Sequence, residues 1–148
     1  MPYEHILVPV DESPISYAAL QHAEELALSN GSKVTVISVL AVDPMFGVDF
    51  YQVAPSITEY VLAAEKNAQA RLNEIKNNLN HHGITEVNVK IVREVSPATG
   101  ILNVLNEIGA DLIVMGSHGR KGLKKFVLGS VAQEVLGESF VPVLIVKQ

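Results

Sequence analysis

The sequence predicts an α/β domain: a doubly wound sheet of five parallel strands in the order 3-2-1-4-5, with helices on both faces. Two observations carry this expectation. Short, nearly all-apolar runs alternate with segments of helical period along the whole chain. Strict alternation of that kind builds a parallel sheet covered on both sides. A long glycine-rich connection, Gly116–Ser130, separates the fourth run from the last helical segment. In a sheet of this order it falls at the switch point, where ligands bind at the carboxyl ends of the strands.

The elements follow in order. Ile6–Val10 is a first strand, nearly all apolar, and Pro9 marks where it gives way to a loop. Ser13 before Pro14 is a helix start, a capping side chain followed by proline at the first helical position. Ile15, Ala18, Ala19, Ala23, Leu26 and Ala27 then keep helical spacing until Asn30-Gly31. Lys33–Leu40 is a β-branched second strand. Ala41–Pro55 has no period and reads as a flexible loop or lid.

A longer helix follows, opened by a Ser56/Glu59 capping box and closed at His82-Gly83. Its apolar face is Ile57, Val61, Ala64, Ala68, Leu72, Ile75 and Leu79. Val87–Val92 alternates, which suits a third strand near the sheet edge. Ser96-Pro97 repeats the helix start, and Gly109 stops that helix. Asp111–Met115 is the fourth strand, Val131–Leu136 lies in the last helix, and Val141–Val146 is the fifth strand. Right-handed crossovers leave few ways to arrange five such strands. The order 3-2-1-4-5 puts the loops Asp11–Ser13 and Gly116–Ser130 on one crevice.

Composition sets bounds. A chain of 148 residues, 48% hydrophobic, fits a single domain over 1–148 with a sizeable core. The net charge of −5 argues against a general nucleic-acid or anionic-membrane surface. There is no cysteine, so disulfides, thiolate nucleophiles and cysteine metal sites are excluded. The N-terminal apolar run is too short for a signal peptide or a membrane span, and a cytoplasmic location is expected.

Against that acidic background the Gly116–Ser130 loop is informative. It carries four glycines besides Arg120, Lys121, Lys124 and Lys125, and no carboxylate occurs from Leu112 to Gln133. Glycines let backbone N–H groups turn toward an anion, and a helix N-terminus at Ser130 attracts phosphate. The loop matches neither the Walker pattern nor the Gly-x-Gly-x-x-Gly fingerprint. For Lys124 and Lys125 taken alone the alternative is a solvated surface turn. Ser13 is read as a cap. Ser130 is read as a cap, with Gln133 closing a capping box, or as a phosphate donor. His118 is an exposed loop histidine, a phosphate contact or an acid–base group. His81-His82 reads as a solvated helix C-terminus, and His5 and His22 have no partner visible in the sequence.

These residues resemble the ATP-binding subgroup of the universal stress protein family. That family's signature is Gly, two residues, Gly, nine residues, Gly, Ser/Thr, matched here by Gly116, Gly119, Gly129 and Ser130. Ile6–Asp11 with Ser13, Met115–Gly119 and Val141–Val146 resemble its first strand, fourth-strand exit and last strand. The resemblance implies a Rossmann-like domain binding ATP with Mg²⁺. It implies that Gly116, Gly119, Gly129 and Ser130 cradle the phosphates, with Val131 adding its N–H. It places Asp11 on the nucleoside, and Pro9, Val10, Val39 and Leu40 around the base. Met115 and His118 lie along the strand exit, and Arg120 is positioned to close over phosphates. The chemistry agrees: a carboxylate accepts from hydroxyls or an exocyclic amine but repels phosphate.

The expected function is a nucleotide-binding stress-response regulator, a homodimer through Val141–Val146 with a regulatory protein partner. Pro142 and Lys147 read equally as devices that block strand pairing. Two other classes remain. A slow ATPase or phosphotransferase would use the same loop. A flavin module would need an aromatic sandwich, for which only the Phe46–Tyr51 segment offers rings.

Overall fold

The computed structural model describes residues 2–41, 55–118 and 128–147, with backbone alone over 55–58. Residues 42–54 of the loop expected over Ala41–Pro55, and residues 119–127 of the glycine loop with Gly119 and Arg120, fall outside these residues. The elements are β1 (His5–Pro9), α1 (Pro14–Asn30), β2 (Lys33–Ala41), α2 (Pro55–His81), β3 (Val87–Glu94), α3 (Pro97–Ile108), β4 (Leu112–Gly116), α4 (Ser130–Glu138) and β5 (Val143–Val146). The five strands form one sheet in the order β3-β2-β1-β4-β5, and every pair is parallel.

Alternation along β1 explains the two layers. Ile6, Val8 and Val10 point to one face, where they meet Ala19 and Ala23 of α1 and Leu72, Ile75 and Leu79 of α2. Leu7 points to the other, into a cluster with Ile101, Val104 and Leu105 of α3 and Ala132 and Val135 of α4. Ile6, Leu7 and Val8 are wholly buried, as a central strand covered on both faces requires. Gly31 (φ 70°) and Gly109 (φ 67°) end α1 and α3 in the left-handed region, which glycine enters without a Cβ penalty.

Several local expectations are corrected. Ser96 caps α3 by accepting from the Thr99 N–H, but the Ser13 side chain makes no cap bond to α1. Its hydroxyl donates to Asp11 instead. Helix α2 begins at Pro55, so Ser56 lies inside the helix and not before it. Gly129, not Ser130, is the residue before α4. The Ser130/Gln133 capping box does not form: Gln133 Nε2 donates to Leu128 O at 2.6 Å. Strand β5 is two residues shorter than expected. Pro142 has no N–H to give a ladder, and the Val141 N–H goes to Ser139 Oγ at 3.1 Å. His82 is not simply solvated; its Nδ1 lies 2.6 Å from Glu24 Oε1 on α1.

The amino-terminal edge of the sheet is fastened by two groups. Asp111 accepts from the N–H of Glu4 and of His5, both at 2.9 Å. Burial works to raise its carboxyl, but the N–H groups of Glu4 and His5, together with its own N–H and the His5 charge, outweigh burial and hold it below the usual range. His5 is buried, with Nε2 2.7 Å from Thr35 Oγ1 on β2. Burial, helped by the Lys33 cation, lowers its pKa below the ordinary 6.5. The folded state therefore resists a proton that the unfolded chain accepts. Stability from this group is complete above pH 6.5 and declines as pH falls toward the folded pKa. Glutamine at position 5 retains hydrogen-bonding capacity without titrating. Urea unfolding at pH 7.5 and 5.5 should show the wild type losing more stability on acidification than His5→Gln; equal losses would remove His5 from the account.

A cleft at the carboxyl ends of strands 1 and 4

Strands β1 and β4 are neighbours, but their following helices go to opposite faces. The chain therefore parts above them. A cleft of about 1010 Å³ opens there. That is at the upper end of the usual range for small-molecule sites, roughly 300–1,000 Å³. Its floor is the strand ends: Pro9 of β1 with Val10 just beyond it, Val39 and Leu40 of β2, and Met115 and Gly116 of β4. The first turn of α4, from Gly129 through Ala132, forms one side together with His118. Helix α2 forms another with Tyr60, Ala63, Ala64, Asn67, Ala68 and Arg71, a stripe of helical period. A smaller cavity of about 250 Å³ lies between α1 and α2, away from both loops.

The α4 end supplies hydrogen-bond donors. The N–H groups of Ser130, Val131 and Ala132 belong to the first helical turn, where no intrahelical acceptor exists. No side chain caps them among the described residues. The Gly129 N–H, by contrast, donates to Ser117 O at 2.7 Å. The Gly129 N–H is thus engaged within the protein, and the N–H groups without a described partner begin at Ser130. The glycine character of Gly129 has another cause: a Cβ there would lie 3.1 Å from both Ser117 O and His118 Cα. Gly116 is similar, since a Cβ would come within 2.9 Å of Ile15 Cγ2 on α1. Both glycines let the β4 exit pass close to its neighbours, and neither has positive φ.

The β1 end carries an acceptor. Asp11 Oδ1 accepts from the Ser13 N–H at 2.7 Å, from Ser16 Oγ at 2.9 Å and from Ser13 Oγ. Glu12 and Arg71 approach at 3.8 Å with the carboxylate half exposed, a contact of small energetic weight. His118 Nδ1 lies 3.2 Å from Ser117 Oγ.

Of the residues singled out in the sequence, Pro9, Val10, Asp11, Val39, Leu40, Met115, Gly116, His118, Gly129, Ser130 and Val131 all line this one cleft. Gly119 and Arg120 are outside the described residues. Sequence reasoning missed Ser16, Ser38 and the α2 stripe. The signal for the stripe was present: alanines at 63 and 64 stand where a core-facing helix carries larger groups. Small side chains there leave the space that the cleft occupies.

The architecture is that of a doubly wound α/β protein whose crevice sits at the topological switch point. The chain belongs to the universal stress protein family, whose profile matches residues 2–147. It is 32% identical to universal stress protein MJ0531 of Methanocaldococcus jannaschii, covering 99% of this chain and 83% of that one. It is 29% identical to universal stress protein MJ0577 of the same organism, covering 99% and 96%. The structure of MJ0577 superposes with a TM-score of 0.83 over 100% of this chain and 98% of that one. The same fold occurs in a universal stress protein in complex with cAMP (24% identical, TM-score 0.69, covering 99% and 98%). It also occurs in an Archaeoglobus fulgidus universal stress protein in complex with dAMP (23% identical, TM-score 0.67, covering 99% and 100%).

The close approach at Gly116 is testable by itself. Ile15 is buried and β-branched, so it has little room to give. Gly116→Ala should lower unfolding stability by about 1–3 kcal/mol, the usual cost of overpacking. Ile15→Ala in the same chain should relieve part of that clash, a non-additivity readable in a double-mutant cycle by urea denaturation.

Proposed function

We propose that this chain is an ATP-binding regulatory protein of the stress response, holding the nucleotide in the cleft between β1 and β4. One observation carries the reading. An apolar floor has an acceptor-only carboxylate at one end and uncapped helix N–H groups at the other. That distribution suits a molecule with an apolar planar base, a donor-bearing nucleoside and an anionic tail. The cAMP and dAMP complexes of the two fold relatives are in keeping with it. In this reading Asp11 meets the nucleoside, and Pro9, Val10, Val39, Leu40 and Met115 surround the base. Gly116, Gly119 and Gly129 shape the loop, and His118 and Arg120 close over the phosphates. The first-turn N–H groups of α4 and the Ser130 hydroxyl take the phosphate oxygens.

Mg²⁺ enters through the phosphates. No cluster of three or more His, Cys, Asp or Glu able to hold a metal occurs among the described residues, so phosphate oxygens and water would supply its ligands. The reading is of binding, not turnover. The slow ATPase or phosphotransferase alternative predicts phosphate release above background, and that release should vanish in Asp11→Asn.

Saturating MgATP is the direct test. At 100 times its dissociation constant it should add about 2.7 kcal/mol, or roughly 5–10 °C in melting temperature. Ser130→Ala removes only the hydroxyl. Ser130→Pro also removes an N–H at the first helical position, where proline is tolerated. Gly129 (φ −62°, ψ 155°) already has the backbone that a residue before proline prefers. The proline variant should lose more of the ATP-induced shift than the alanine variant. No shift with ATP or any other nucleotide in the wild type would end the proposal.

The protein acts in the cytoplasm as a homodimer through its C-terminal strand, and the dimer meets a regulatory partner. No helix among the described residues is long and apolar enough to cross a membrane. Strand β5 is a sheet edge whose surroundings expose Leu136, Phe140 (93% exposed) and Leu144. An apolar edge of that kind is a template for strand pairing. Leu144→Lys should shift the protein from dimer to monomer in sedimentation velocity; an unchanged sedimentation coefficient would place the interface elsewhere.

A further inference from the structure

We propose that Ser16 is a positioning residue for Asp11, and that the pair presents Asp11 Oδ2 to a neutral hydrogen-bond donor of the ligand, a sugar hydroxyl or an exocyclic amine. The inference rests on the nucleotide reading above and deepens it at the nucleoside end.

The geometry is a closed ring. The Asp11 N–H donates to Ser16 Oγ at 2.9 Å, and Ser16 Oγ donates to Asp11 Oδ1 at 2.9 Å. The Ser13 N–H and hydroxyl add two further donors to the same oxygen. Ser13 Oγ and Ser16 Oγ are themselves 3.3 Å apart. Both serines are buried, at 8% and 7% exposure, so water does not compete freely for these bonds. Ser16 stands in the first turn of α1, anchored by its own N–H to Ser13 O. The ring therefore ties the carboxylate to a rigid helix end, where its charge is favourable.

Three donors converge on Oδ1 alone. Oδ2 makes no hydrogen bond among the described residues, and Asp11 and Ser16 both line the cleft. A carboxylate held this way has one oxygen committed to the protein and one to spare. An ionised carboxylate only accepts, so the group it recognises must donate. A phosphate oxygen cannot, and repulsion sends the anionic tail toward the uncapped N–H groups of α4. The serine thus helps to set the direction in which a nucleotide lies. It gains this effect without touching the ligand, by removing the freedom of the side chain that does.

Isothermal titration with three probes separates the halves of the site: ATP, adenosine for the nucleoside end and inorganic tripolyphosphate for the anion end. Ser16→Ala should weaken ATP and adenosine by a common factor, roughly tenfold, and leave tripolyphosphate unchanged. Added to Asp11→Asn it should cost little more than Asp11→Asn alone. Comparison with 2′-deoxyadenosine and inosine identifies the donor, because the Ser16→Ala penalty should disappear for the analogue that lacks it. Equal weakening of tripolyphosphate, or full additivity with Asp11→Asn, would overturn the inference.

Binding of none of the probes by the wild type would instead overturn the nucleotide reading. The positioning role then still has its own readout in the Asp11 Hα–Hβ three-bond couplings. A single rotamer in the wild type that averages in Ser16→Ala keeps it; the same couplings in both remove it.

Discussion

The structure depends on one buried strand. β1 pairs with β2 on one side and β4 on the other, and its apolar side chains alternate between two helix layers. A central parallel strand has no face left for polar groups, so all its chemistry must lie at its ends. That constraint sorts the polar residues of this chain. His5 stands at the amino end of β1, and Asp11 stands just past the carboxyl end.

The two ends do different work. At the amino end, Asp111 and Thr35 fix His5 and its neighbour to the adjoining strands. At the carboxyl end, partners run out. The loops after β1 and β4 diverge to opposite layers, leaving Asp11 Oδ2 and the first-turn N–H groups of α4 without protein acceptors or donors among the described residues. Unsatisfied polar groups are costly when buried and useful when they line an open cleft. The sheet thus has a hydrogen-bonded amino end and a carboxyl end that opens on the cleft.

The glycine signature has two physical components. Gly116 and Gly129 are required by packing, since a Cβ at either would press on Ile15 or on the backbone of Ser117 and His118. The donors available to an anion belong to the residues after Gly129. The glycines bring the β4 exit close to α1 and set the start of α4. The tight passage at the two glycines therefore fixes where the first turn of α4 stands, and with it where the N-terminal N–H groups point.

The strand order, the two helix layers and the crevice position were legible in the sequence. They follow from alternation of apolar runs with helical segments, from chain handedness and from the glycine loop. Helix stops at Gly31 and Gly109 were legible too, because backbone conformation there is a local matter. The cap assignments at Ser13 and Ser130 were not. Each depends on which of several acceptors a hydroxyl or N–H takes: Ser13 takes the nearby Asp11 carboxylate and leaves the α1 N–H groups uncapped, and the Gly129 N–H meets Ser117 across the glycine loop. The α2 wall left a weaker trace, the small side chains of Ala63 and Ala64, and its facing the cleft became visible only once α2 was packed on the sheet. By itself the sequence determined which segments form the sheet and where it opens, because periodicity and turn chemistry are written residue by residue. Only the tertiary structure decided which polar atoms at that opening lack a partner among the described residues, because spacing alone does not say which of several acceptors a hydroxyl or N–H takes.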